Sequence, residues 1–361
     1  MRNTSKMRKA DIWSKDIVVQ DCGGLLAENS DWEGDAGLLY MVNHVFDTNK
    51  ALLNRTRPEL RVDDIAFLVT AGTGRRAIAY ARDGARAIIV EVGLIRALWT
   101  RAASIAHLPG VLANAFPIAE DIDQSWMAES CDSVPGMSDW DCSGDRAEYC
   151  VDLFLHMLEY VVVHEIAHHV RGHLKLVNAE TGLHLIDETE ARTSKTPEVS
   201  AAEGFLVQDL EFDADAYGLE LSLAAMDEKH PFAMQWDQAS ATEWQFQLIF
   251  AQLMVAQVID DARKADGAYS ADGHPAPLHR AINYGNLVSR SLQDLVGGPL
   301  QAYVDMHAVA WSEAGYVAKG LSYPKGRWHD DHGKEMATGD YQLLEERYFA
   351  SSRRIDGLSR G

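Results

Sequence analysis

The chain is short of cysteine, of basic charge and of long apolar runs. Its 361 residues hold four cysteines, Cys22, Cys131, Cys142 and Cys150, and none forms a Cys-x-x-Cys pair. That argues against a cysteine-built zinc knuckle and suits a reducing compartment, with a disulfide among the last three left open. Lys and Arg number 33 against 54 Asp and Glu, a formal charge of −21. Phosphate backbones and anionic membrane surfaces would be repelled, so neither nucleic acid nor membrane is an expected partner, and a soluble protein or peptide is. The longest apolar segment, residues 246–259, is broken by Gln247, Gln252 and Gln257 and is too short to span a bilayer. The basic N-terminus runs into Asp11, Lys15 and Asp16 instead of an apolar stretch, so no signal peptide is read there and a cytoplasmic protein is expected.

What is present is a chain of 47% hydrophobic content, enough to bury a full core. Residues 1–60 read as largely helical, with Leu38, Leu39, Val42, Val45 and Phe46 on one stripe. Three short apolar runs follow, 65–70, 76–81 and 86–91, separated by Ala71-Gly-Thr-Gly74 and Asp83-Gly84, and a small antiparallel sheet is expected. The Gly-x-Gly lacks the Lys-Ser/Thr of a phosphate loop and reads as a turn. Residues 117–148 are acidic and turn-rich, read as a solvated loop or a lid. Residues 178–203 lack a period and read as a loop. The segment 242–264 is apolar nearly all round and reads as central core or as a subunit contact joining a homo-oligomer.

The chemistry-bearing stretch is Val161-Val-Val-His-Glu-Ile-Ala-His-His-Val170. Residues four apart on a helix point to one side, so His164 and His168 can offer two imidazole nitrogens to one metal ion with Glu165 beside them. Two neutral ligands, an adjacent carboxylate to accept a proton from water, and room for a further ligand are what a zinc hydrolase needs. A random chain of this composition would contain the pattern about four times in a hundred, so its surroundings decide. Phe154, Leu155, Leu158, Val161, Val162, Ile166 and Val170 form an unbroken helical stripe around it. Two buried histidines and a buried Glu165 without metal or partners would cost several kcal/mol.

A second helix from Gly204 carries Glu211 and Asp215 four apart with Ala214 between. One of the two can reach the metal while the other hydrogen-bonds a ligating histidine, whereas Asp209 and Asp213 lie off that face. In His274-Pro-Ala-Pro-Leu-His-Arg280 the alternatives are a proline-rich turn, or a segment whose His274 and Arg280 offer positive groups to a developing oxyanion.

Three motifs together resemble the gluzincin metallopeptidases, especially the branch of the CAAX-prenyl and heat-shock membrane proteases and their soluble minigluzincin relatives. They are His164-Glu-Ile-Ala-His168, the Glu-x-x-Ala-Asp element Glu211–Asp215, and the His-Pro…Arg spacing of His274 to Arg280. The strand and turn 86–94 is similar to that branch too, and the resemblance covers roughly residues 79–287. The Lit-type phage-exclusion peptidases are a looser comparison. A metzincin frame fails, because its Gly and His positions hold Arg171 and Leu174. The resemblance implies an α+β, zincin-like fold, mainly helical, with a small mostly antiparallel sheet beside the metal-motif helix. It divides the chain into a helical segment 1–60, a metallopeptidase domain 61–290 and a helical or irregular extension 291–361. It implies Zn²⁺ held by His164, His168 and Glu211, Glu165 as general base, Asp215 behind a ligand histidine, and His274 and Arg280 on the oxyanion. An extended peptide would add to the strand at Ile88, Ile89 and Val90. Lacking transmembrane helices, the chain departs from the membrane branch.

Two other classes compete with the peptidase. A zinc-stabilised interaction or sensor protein would ordinarily have four protein ligands and no use for Glu165. A non-peptidase zinc hydrolase acting on a small molecule would use the same set.

Overall fold

The structure, a computed structural model, describes residues 36–82, 84–108, 111–112, 145–182, 185–187, 197–229, 237–265 and 277–320. In chain order these form α1 (Ala36–Thr56), two 3₁₀ turns, β1 (Ile65–Thr70), β2 (Ala77–Arg82), β3 (Ala85–Glu91) and α2 (Val92–His107). Then come α3 (Asp145–Val170), α4 (His173–Thr181), β4 (Leu185–Asp187), α5 (Pro197–Lys229), α6 (Gln238–Ala265), α7 (Pro277–Val296) and α8 (Leu300–Gly320). The class is α+β: mostly helix, with one small mixed sheet.

The sheet order is β1-β3-β2-β4. β2 and β3 form the expected hairpin, and Gly84 at φ 84° takes the turn conformation that side chains disfavour. β1, however, runs parallel to β3 on its other side, so the sheet is mixed and not purely antiparallel. The cause is the loop 71–76. It folds over the end of β3, where a Cβ on Gly72 or Gly74 would run into the Glu91 carboxylate and one on Gly93 into the Thr73 and Gly74 carbonyls. Crossing there, it delivers the chain to the far side of β3. The fourth strand comes from residues expected to be loop: three residues are too few to show a period, and β4 is held by antiparallel pairing of Ile78, Ala79 and Tyr80 with Asp187, Ile186 and Leu185. Likewise α4 continues to Thr181, and α5 starts at Pro197, earlier than Gly204, with proline in the first turn where its missing N–H costs nothing.

Helix α3 is the hub. It packs against α1, α2, α5 and α6 and against β2 and β3, and residues 160–169 are all buried. A helix covered on all sides has no polar face, which is why its apolar residues wrap fully around it. α6 packs on α2, α3, α7 and α8, and every residue from Ile249 to Ile259 is buried within the chain. Of the two readings of that segment, central core is the one that this buried stretch bears out. Buried glutamines lock its neighbours: Gln245 donates to Ser289 Oγ and the Tyr303 carbonyl, and Gln257 donates to the Ala314 carbonyl and accepts from Arg101. The boundary drawn at 290/291 falls inside α7. Among the described residues no helix is long and apolar enough to cross a membrane.

Candidate metal centre

Two helices build the centre. α3 contributes His164, Glu165 and His168 from its fully covered stretch. α5 contributes Glu211 and Asp215, one turn apart and both buried. The face of α5 toward α3 is kept low by Ala214 and Gly218; a Cβ on Gly218 would already meet the His164 backbone nitrogen at 3.4 Å. That close approach brings the carboxylates onto the imidazoles.

The two Nε2 atoms of His164 and His168 lie 3.0 Å apart. Glu211 Oε2 is 3.2 Å from His164 Nε2, and Glu211 Oε1 is 3.6 Å from His168 Nε2. Donors at the usual Zn–N and Zn–O lengths around a tetrahedral ion stand about 3.3–3.5 Å apart, so these spacings fit. His164, His168 and Glu211 are the group of described residues whose donor atoms could hold a metal ion. The tautomers fit as well. His164 Nδ1 is 2.9 Å from Asp215 Oδ1, which can only accept, so His164 carries its proton there and turns its Nε2 lone pair toward His168. Two lone pairs facing at this distance need a proton or a cation between them.

Charge makes the same demand. The buried carboxylates of Glu211 and Asp215 share one buried guanidinium, that of Arg280, leaving one negative charge to be met. Arg280 reaches Asp215 through Nε (2.9 Å) and Nη2 (2.7 Å), Tyr160 Oη through Nη2 (3.0 Å) and Glu211 Oε2 through Nη1 (3.1 Å). Tyr160 in turn donates to Asp215 Oδ1 at 2.6 Å. Burial, the largest influence, and Arg280 both push the His164 imidazolium down, yet the hydrogen bonds it donates to Asp215 and Glu211 outweigh them and hold it up at about 10. Burial drives His168 well below the ordinary histidine value. Burial opposes ionisation of Glu211 and Asp215, but Arg280 and the histidines overcome it and hold both below the usual carboxylate range. A metal ion held by these imidazoles and Glu211 would take the place of such trapped protons.

His164, His168, Glu211, Asp215 and Arg280 are thus brought together from three separate helices, with Glu165 buried next to His164 in the chain. His274, most of the acidic 117–148 stretch, and Cys22, Cys131 and Cys142 lie outside the described residues; Cys150 is buried. Ile88, Ile89 and Val90 require a correction. β3 is paired on one side by β1 and on the other by β2, so its backbone groups are engaged and no peptide can add to it. Among the described strands the edges are β1 and β4.

Four residues of the cluster's surroundings escaped the sequence reading. Tyr160 stands four before His164 on the same face, a signal that could have been used. Arg171, His173 and Asp213 form a separate chain: Asp213 accepts from Arg171 Nε and Nη2 at 2.7 and 3.0 Å and from His173 Nε2 at 2.9 Å. Asp213 was expected to be off the ligand face and is, yet it is buried, because the turn after α3 wraps around that side of α5. His169, next to the ligand His168, points the other way and donates to the Ala87 carbonyl, tying α3 to β3.

No family model, no curated protein and no solved structure matches the chain.

Proposed function

We propose that the chain is a zincin-like, zinc-dependent metallopeptidase that hydrolyses peptide bonds of a soluble protein or peptide. The observation that carries this is the buried convergence of His164, His168 and Glu211 donors, with Glu165 on the same helix. Three ligands and an adjacent carboxylate are the hydrolytic arrangement, where a structural site has a fourth protein ligand. Bound by those three residues, zinc supplies Lewis acidity to a water and to the scissile carbonyl.

The chain's own residues do the rest. Glu165 takes a proton from the attacking water at its carboxylate and returns it to the leaving amine nitrogen, so that the amine departs neutral. Asp215 accepts the Nδ1–H of His164 and fixes the tautomer that leaves Nε2 as a donor. Arg280, engaged with Asp215, Glu211 and Tyr160, balances the ligand carboxylates. That position fits a charge partner of the ligand set better than the oxyanion donor expected from the sequence.

The test is zinc analysis of purified protein followed by cleavage of a mixed peptide library. One zinc per chain, lost in His168→Ala, with cleavage that Glu165→Gln abolishes while keeping the metal, is the expected result. Metal retention with no Glu165-dependent hydrolysis would identify a structural zinc protein, and absence of zinc from carefully prepared wild type would remove the reading.

A further inference from the structure

The two histidines of the cluster are supported by different routes. His164 Nδ1 meets the Asp215 carboxylate directly, at 2.9 Å. His168 Nδ1 meets another imidazole: His173 Nδ1 is 2.9 Å away, and His173 Nε2 lies 2.9 Å from Asp213 Oδ2.

The polarity of this second route is determined from its far end. Asp213 is an acceptor for both Arg171 donors, so it accepts from His173 as well, and His173 carries its proton on Nε2. His173 Nδ1 is then a lone pair. It can only accept, so His168 carries a proton on Nδ1 and its Nε2 is left unprotonated, facing His164 Nε2 and Glu211. Each bond from His168 through His173 to Asp213 has one donor and one acceptor with both of these imidazoles neutral. We infer that His173 is a positioning residue for the metal centre, setting the tautomer and ring orientation of His168, with Asp213 and Arg171 holding His173 in turn. This rests on the metal reading of His164, His168 and Glu211.

The backbone is shaped for the contact. In an uninterrupted helix a residue five positions on lies about 140° around the axis from His168, beyond its reach. α3 instead ends at Val170, and Gly172 adopts φ 76°, the left-handed conformation that ends helices and suits glycine. α4 restarts at once at His173, whose ring returns beside His168 with centroids 5.0 Å apart. Arg171, between the break and the ring, is clamped twice: on Asp213 and over the Tyr217 ring at 5.1 Å. His173 is fully buried.

The experiment measures zinc affinity by competition with a chromophoric chelator, for wild type, His168→Ala, His173→Phe, His173→Asn and Asp213→Asn. Each chain is also melted in excess chelator, and the cobalt-substituted form is examined by visible absorption. His173→Phe keeps the ring but offers no acceptor, and should weaken zinc about 10- to 100-fold and alter the cobalt spectrum. His173→Asn puts an acceptor oxygen where Nδ1 stood and should recover most of that loss, which a merely space-filling role would not produce. Asp213→Asn should weaken zinc about 10-fold, and it decides the matter if His173→Phe does not fold. Wild-type zinc affinity in His173→Phe, or in Asp213→Asn where it must decide, overturns the inference, as does His173→Asn binding no better than His173→Phe; the metal reading survives if His168→Ala still loses zinc. Wild type without zinc, or His168→Ala binding like wild type, brings down both.

Discussion

Replacing Arg280 by leucine removes the only guanidinium in contact with Asp215 and Glu211 among the described residues. In chelator, with no dication present, the loss is set by two buried carboxylates left facing each other. Breaking a buried ion pair by deleting one partner costs about 3–5 kcal/mol. Asp215 keeps its bonds from Tyr160 and His164, which favours the lower half of that range. Against a domain stability of about 5–15 kcal/mol this is a large fraction, readable as a shift of the urea midpoint. The pairwise part is isolated by a cycle of Arg280→Leu, Asp215→Asn and the double variant. Once Asp215 is neutral, losing Arg280 should matter less, because only Glu211 remains uncompensated. The double variant should be less damaged than the two single losses together, with a coupling near the upper end of the 0.5–3 kcal/mol found for contacting residues. Additivity within about 0.5 kcal/mol would refute the claim that Arg280 is there to balance these carboxylates.

Glu165→Gln should retain zinc and the far-ultraviolet spectrum while turnover on a cleaved peptide falls about 10²- to 10⁴-fold, and zinc loss in that variant would make Glu165 a ligand instead. Gly93→Ala should destabilise the fold by about 1–3 kcal/mol, since the new methyl meets backbone carbonyls of Thr73 and Gly74 that have no side-chain freedom to move; an unchanged melting temperature would disprove that close approach. Buried His169 is pushed down to about 3, chiefly by burial, with the Ala87 carbonyl resisting. The unfolded chain binds its proton below about 6.5 and the folded chain does not until about 3, so this residue's contribution to stability falls as pH is lowered through that window, by at most about 1.4 kcal/mol per unit. In chelator, His169→Gln, which keeps a donor and cannot titrate, should flatten the acid limb of the stability profile, and an identical slope in the two proteins would show that His169 does not contribute to it.

What could be read from the sequence was what a single helix dictates. The spacing of His164 and His168, and of Glu211 and Asp215, determines which side chains share a face, and the structure brings those faces together. Arg280 was legible as a residue type near a helix start, but its direction was not: whether a guanidinium meets an oxyanion or a carboxylate depends on how α7 lies on α5. Asp213 lies off the ligand face as expected, but its burial was not legible, for a related reason. A residue on the far side of a helix is solvated only if nothing covers that side, and here the cover is a turn whose path depends on one glycine. The strand at Ile88–Val90 had the pattern of a buried strand, yet periodicity cannot say which neighbours pair with it. Its central position follows from the loop over Glu91, a contact between parts of the chain distant from the strand itself.

Arg280 and a bound dication act on the same carboxylates, and this links the site to the stability of the whole fold. Arg280 contacts Glu211 Oε2, the same oxygen that stands 3.2 Å from His164 Nε2. A cation among the three ligands draws charge from Glu211 and leaves Arg280 to serve Asp215. Zinc should therefore stabilise the native chain beyond the protons it displaces, by about 4 kcal/mol at a thousandfold excess over its dissociation constant. Gly93→Ala, whose ligands are untouched, should gain that same increment, whereas Arg280→Leu, whose Glu211 has lost its guanidinium, should bind the cation more tightly and gain more at equal free zinc. An equal gain in the two variants would mean that Arg280 and the cation are not coupled through Glu211.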